Sequence, residues 1–302
     1  MRGEKFKMRV LLSEVNISEG RNDEVIEKVK SALLVNNDIK MIDFNSDRDH
    51  NRSVFTYIGE PEKVLEATKR LADKAIELID MTKHKGSHPR MGAVDVVPFV
   101  PVEGIEIPEA VEIAREFGKY MGSNGVPVYF YEDAAVKPNR KSLVDIRKGE
   151  YEGLAEKMKK TEWIPDEGPT EFVPKSGALV TGVRFPLIAF NVNLRTNELE
   201  IANKIAKAVR NISGGFRFVR AIGLHITEKD MVQVSMNLIN YSKTPIPRVM
   251  EAIRCEAARY GVLIASAELV GPLPLLALEE VVRHYLQVHD FSIKQIIETN
   301  LI

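Results

Sequence analysis

PEKVLEATKRLADKAIELIDMTKHKGSHPRMGAVDVVPFVPV, residues 61–102, holds a helix, a turn and a strand in one stretch. Residues 61–80 have helical spacing of their apolar positions, with Pro61 near the first turn, where its missing N–H costs nothing. AVDVVPFVPV, 93–102, is apolar for most of its length and reads as a strand buried in a sheet. Between them Gly86, Pro89 and Gly92 break any helix, and Pro89 biases Ser87-His88 away from the α region. That turn carries His84 and His88, two of only six histidines in the chain.

Upstream, MRVLLSEVNI (8–17) reads as a strand. NDEVIEKVKSALL (22–34) reads as a helix that Asn22 or Asp23 is placed to cap. DIKMIDFNS (38–46) and SVFTYIG (53–59) read as two further strands joined by the polar segment Asp47–Arg52. The order is βαββαβ, that of a ferredoxin-like unit. A helix (108–122) and a strand (126–132) are appended. The proline-punctuated stretch from Asp133 to Lys175 reads as one helix, SLVDIRKGEYEGLAEKMKK (142–160), within a connecting loop. From Pro186 the first pattern recurs: strand 186–194, helix 197–213, strands 216–226 and 231–240, helix 246–261, strand 262–271. Residues 276–302 read as helical. The expected fold is α+β, with two ferredoxin-like subdomains, 1–186 and 187–302, and a substrate cleft between them, domain interfaces being favoured ligand sites.

Composition excludes several classes. A chain of 302 residues suits two domains of ~150. A net charge of −1 argues against a general electrostatic grip on nucleic acid. No apolar run approaches the ~20 residues that span a bilayer. The basic MRGEKFKM start has no apolar core, so no signal peptide is expected and a cytoplasmic location is. Cys255 is the sole cysteine, which excludes an intramolecular disulfide and a thiolate-rich zinc site.

The histidine turn has three readings. A metal site is disfavoured, because the glycine and proline break the helical i, i+4 face and only Asp95 offers a nearby third ligand. A solvated basic loop is the plain alternative. The third is proton transfer, which suits an imidazole of ordinary pKa ~6.5. Arg52 and Arg90 are candidates to hold carboxylates by bidentate pairing, or are surface ion pairs. Asn191 and Asn193, like Gln233, Ser235 and Asn237, alternate onto one strand face, which lines a cleft or faces solvent.

DMTKHKGSHPRMGAVDVVPFVPV resembles the central motif of the glutamate formiminotransferase family. VNISEGRNDEVI, NRSVFTYIGEPEKV, VPVYFYEDAA, IRKGEYEGLAEKM, EWIPDEGPTEFVP, LIAFNVNL, QVSMNLINY and ELVGPLPLLAL match in the same order. The resemblance implies transfer of the formimino group of N-formimino-L-glutamate to N5 of tetrahydrofolate, the one-carbon acceptor, without a metal. It places the catalytic histidine, general base and then general acid, at His88, directly before Pro-Arg-Met-Gly. His84 becomes an orienting or substrate-contacting group. The folate segment falls on Gly168, Pro169, Thr170, Glu171, Phe172, Val173, Pro174, Lys175, Ser176 and Gly177. Many relatives carry an aspartate where this chain has Asn45, with Asp43 and Asp47 close by. The same resemblance implies a homodimer and a separate downstream cyclodeaminase. Handling of N5-formyl-tetrahydrofolate, or folate binding without turnover, are the competing readings.

Overall fold

The computed structural model describes residues 8–300; the basic first residues and the last two, which fall within sequence expectations, lie outside them. The chain divides between Arg184 and Phe185 into two units, each with its own sheet. In the first, strand β1 (Val10–Ile17) sends Leu11, Val15 and Ile17 into the core at alternate positions. Helix α1 (Asp23–Leu34) starts where the Asn22 side chain accepts from the amides of Glu24 and Val25, so the cap is Asn22. Strands β2 (Lys40–Asp47) and β3 (Arg52–Gly59), helix α2 (Pro61–Leu78) and strand β4 (Val94–Glu103) complete a βαββαβ unit. Strand β1 lies between β3 and β4, antiparallel to both, with β2 outside β3. Helix α3 (Ile107–Ser123) and strand β5 (Val128–Glu132) follow.

Between residues 133 and 185 one element is added and one expectation corrected. Leu179–Val183, for which no element was expected, is strand β6, and it inserts between β4 and β5, parallel to both. Every residue of it is buried. It is only five residues long, and Thr181 and Gly182 interrupt it, so it shows neither alternation nor the long apolar run that marks β4. The single helix expected over 142–160 is two short ones, α4 (Leu143–Arg147) and α5 (Leu154–Met158). Gly149 (φ +91°) and Glu150 (φ +53°) both take left-handed backbone, which no right-handed helix can continue. Ile146, Leu154 and Met158 then cover Val96, Tyr129, Tyr131 and Val180 on the sheet face away from α1–α3.

The second unit repeats the order. Strand β7 (Ile188–Leu194), helix α6 (Leu199–Val209), strands β8 (Val219–Ile226) and β9 (Met231–Leu238), helix α7 (Ile246–Arg259) and strand β10 (Ile264–Val270) form an antiparallel sheet ordered β10-β7-β9-β8. Phe190, Val192, Val234 and Met236 pack with Ile205 and Ile253. Asn191, Asn193 and Gln233 point to the opposite face, where Gln233 donates to Asn193 (2.9 Å) and Asn193 to Ser266 (2.9 Å). The helical reading of 276–302 is corrected as well. Helix α8 (Leu275–Leu286) stops at Gln287, whose φ of 57° is left-handed, and only short 3-10 turns follow. No helix of the described residues is long and apolar enough to cross a membrane.

Candidate active site

The histidine turn sits at one end of the first sheet, wedged between the β2–β3 turn and the segment that enters β6. On the first side the Asn51 side chain donates to the Lys85 carbonyl (3.1 Å) and accepts from the Gly20 amide (2.9 Å). The Ser87 amide reaches the Asp49 carbonyl (3.4 Å). Gly86 is required there, since a Cβ would stand 2.2 Å from the His50 carbonyl oxygen. On the second side the Ala93 amide donates to Ser176 (2.8 Å) and the Ala178 amide to Met91 (3.0 Å). From inside the turn, the buried Asp95 carboxylate accepts from the Met91 amide (2.8 Å) and pairs with Arg147 of α4. The loop is thus fixed by backbone bonds on both flanks and by one internal carboxylate.

His84 and Arg90 form a closed unit. An arginine can only donate, so Arg90 Nε donates to His84 Nδ1 (3.2 Å), and His84 Nε2–H in turn donates to the Asn51 carbonyl (2.9 Å). Both ring nitrogens are taken by the protein, and burial first, then the Arg90 charge, hold the His84 pKa below its ordinary value. Arg90, only 6% exposed, forks onto Glu152 (2.9 and 2.5 Å) and reaches Glu150 (3.2 Å). Burial opposes its charge, but Glu152 and Glu150 outweigh that and keep its pKa raised. The left-handed turn at Gly149-Glu150 delivers both carboxylates.

His88 is in a different situation. Its Nε2 lies 2.8 Å from Arg52 Nη1, so Nε2 is the acceptor and the proton of the neutral ring is on Nδ1, toward the Pro89 backbone. Burial is the largest influence on its pKa, followed by the charges of Arg52, Arg147 and His50; together they push it down to about 3. Arg52 has no carboxylate in pairing range among the described residues, and its Nε is buried without a hydrogen-bond partner. Burial, then the nearby Arg147, lower its own pKa. His50 stands edge-on to His88, ring centroids 5.9 Å apart, and is bound through Nδ1 to Asp47 (2.7 Å). Asp47 therefore serves His50, and Asn45 is exposed on β2. Among the described residues no group of three or more His, Cys, Asp or Glu side chains could hold a metal ion.

Residues 168–177 run from the end of α3 to the histidine turn. Gly168 (φ +81°) packs against the Val126 carbonyl. At the other end Gly177 (φ +65°) bridges to Gly92, where a Cβ on Gly177 would be 2.2 Å from the Met91 oxygen. The Met81 amide donates to the Lys175 carbonyl (3.0 Å), and the Tyr151 hydroxyl to that of Pro174 (2.7 Å). Ser176 is buried, Phe172 stacks tilted on Tyr151 (5.5 Å), and Pro169 and Val173 are half-buried. Thr170, Glu171, Pro174 and Lys175 are exposed. His84, His88, Arg52, Arg90 and Ser176–Gly177 are therefore neighbours, whereas Gly168–Glu171 lie toward α3. Sequence reading missed Asn51, Arg147, Glu150 and Glu152. Only Asn51 left a local signal, as an asparagine in a polar turn, where it takes the left-handed φ of 49°.

A family model described as the formiminotransferase domain, N-terminal subdomain, matches residues 10–184, and one described as the formiminotransferase domain matches 189–302. The chain belongs to the formiminotransferase family. Glutamate formimidoyltransferase of Streptococcus pyogenes serotype M1 is 43% identical over 95% of this chain and 97% of its own length. The Thermoplasma acidophilum protein of the same name is 44% identical, over 95% of each chain. Formimidoyltransferase-cyclodeaminase of Mus musculus is 43% identical over 89% of this chain and 51% of its own.

Proposed function

We propose that this formiminotransferase-family chain is a glutamate formimidoyltransferase, moving the formimino group of N-formimino-L-glutamate to N5 of tetrahydrofolate. The observation that carries the reading is His88: a neutral imidazole with its Nε2 lone pair directed at a guanidinium that lacks a counter-ion. In the reaction N5 attacks the amidine carbon and its N–H proton passes to His88 Nε2. The tetrahedral adduct then collapses, the carbon–nitrogen bond to glutamate breaks, and His88 returns the proton to the departing nitrogen. A positioned acid–base group typically contributes ~10²–10⁴-fold. Arg52 is the receptor for a donor carboxylate. Arg90, committed to Glu152, holds His84, and through it the turn, in place. The names of the two full-length relatives support formimino transfer over N5-formyl handling or binding without turnover.

Residues 168–177 are the proposed acceptor segment, with Phe172 and Val173 offering apolar surface to the pterin. The strand order in each sheet supports a ferredoxin-like topology for both subdomains. The boundary expected between residues 186 and 187 stands two residues from the division between Arg184 and Phe185. The homodimer, the separate downstream cyclodeaminase and the cytoplasmic setting belong to the same reading. The test is direct: protein, tetrahydrofolate and N-formimino-L-glutamate together should yield 5-formimino-tetrahydrofolate and free glutamate in equal amounts. Glutamate release without the folate product would refute it.

A further inference from the structure

The contact between Arg52 and His88 is at odds with the work assigned to each. A base needs its lone pair free, yet Nε2 is covered by Arg52 Nη1 at 2.8 Å. A half-buried guanidinium needs an anion, yet Arg52 finds only a neutral ring and leaves Nε unsatisfied. Such a charge is costly to keep unpaired in a desolvated place. The carboxylates nearest in charge influence are already engaged, Asp95 with Arg147 and Asp47 with His50.

We propose that Arg52 is a specificity-determining residue that silences His88 until a donor carboxylate draws the guanidinium away from Nε2. The anion does two things in one step. It uncovers the lone pair, and it supplies a negative charge beside an imidazole that now faces Arg52 on β3, Arg147 on α4 and His50 in the β2–β3 turn. Asp47 and Asp95, the acidic groups on that side, are bound to His50 and to Arg147. Protonation of His88 in the transition state, opposed in the free protein, becomes favourable once the donor is seated. An amidine without a carboxylate leaves the latch closed, so donors are selected at the catalytic step and not only by affinity. The inference rests on His88 being the base, as proposed above.

The experiment follows the ring carbon proton of His88 by NMR, its signal identified by loss in His88→Gln, through a pH titration with and without N-acetyl-L-glutamate, a non-transferable donor mimic. In the wild type the midpoint should lie well below the ordinary imidazole value, and saturating N-acetyl-L-glutamate should raise it by at least about one pH unit. Arg52→Gln should show a raised midpoint without the mimic and no further rise with it. The variant should also narrow the kcat difference between N-formimino-L-glutamate and an N-formimino alkylamine. An unmoved midpoint in the wild type, through failure to bind or binding without effect, overturns the proposal even if Arg52→Gln does not fold. So does an Arg52→Gln midpoint equal to that of the wild type. Turnover of N-formimino-L-glutamate by the wild type is measured alongside. Its absence would refute the catalytic reading, whereas turnover with an unmoved midpoint refutes only the latch.

Discussion

At the scale of single residues, the site separates two histidines four positions apart by what occupies their nitrogens. His84 spends both on the protein, whereas His88 spends one on a cation that an anion can displace. Both are held neutral, with folded pKa values below the ordinary 6.5. The unfolded chain therefore binds more protons than the folded one as pH falls below 6.5, and for His88 down to about 3. Stability should rise with pH through that window and be lost on acidification. Urea unfolding at pH 5, 6 and 7 should show a shallower dependence in His88→Gln than in the wild type, by at most ~1.4 kcal/mol per pH unit. Equal slopes would mean that His88 is not desolvated. The sequence made His88 legible because Pro89 forbids it a helix and the family motif surrounds it. It hid the duty of Arg90, because the carboxylate that satisfies it comes from Glu152, across a separation of 62 residues. An arginine that binds substrate and one that braces a loop look alike until the distant partner is known.

At the scale of elements, the turn depends on close backbone approach at Gly86 and at the Gly92–Gly177 bridge. Gly177→Ala would meet the Met91 oxygen at 2.2 Å in a left-handed conformation that alanine disfavours. Destabilisation of roughly 2–3 kcal/mol is expected from strain and overpacking together. Because the histidine turn is bonded to this segment, turnover should fall as well; denaturant unfolding and kinetics on the same preparation test both. Unchanged stability would mean that the bridge is not part of the folded turn. The glycines were readable as points of close approach, but not what they approach. The strands that alternate, such as β1 and β3, were readable too. Strand β6 was not, since five residues interrupted by Thr181 and Gly182 show neither alternation nor a long apolar run, and the break between α4 and α5 turns on two left-handed residues that helical spacing does not register.

At the scale of the whole molecule, the repeated βαββαβ order was visible in the sequence because each half carries its own succession of periods. Each half builds a sheet in which the first strand lies between the third and the fourth. In the first half that order brings the end of β2 and the starts of β3 and β4 to the same edge as the turn, and so sets Asp47, Arg52 and Asp95 around His88. Under the proposed function His88 carries the proton between the two nitrogens, and His84 only holds the turn. The comparison of His88→Ala and His84→Ala at saturating concentrations of both substrates, with circular dichroism to confirm the fold, tests it most directly. His88→Ala should lower turnover by at least ~10²-fold, roughly 2.7 kcal/mol of transition-state stabilisation, and His84→Ala by less. A folded His88→Ala that turns over normally beside an inactive His84→Ala would mean that the proton is carried by His84 and not by His88.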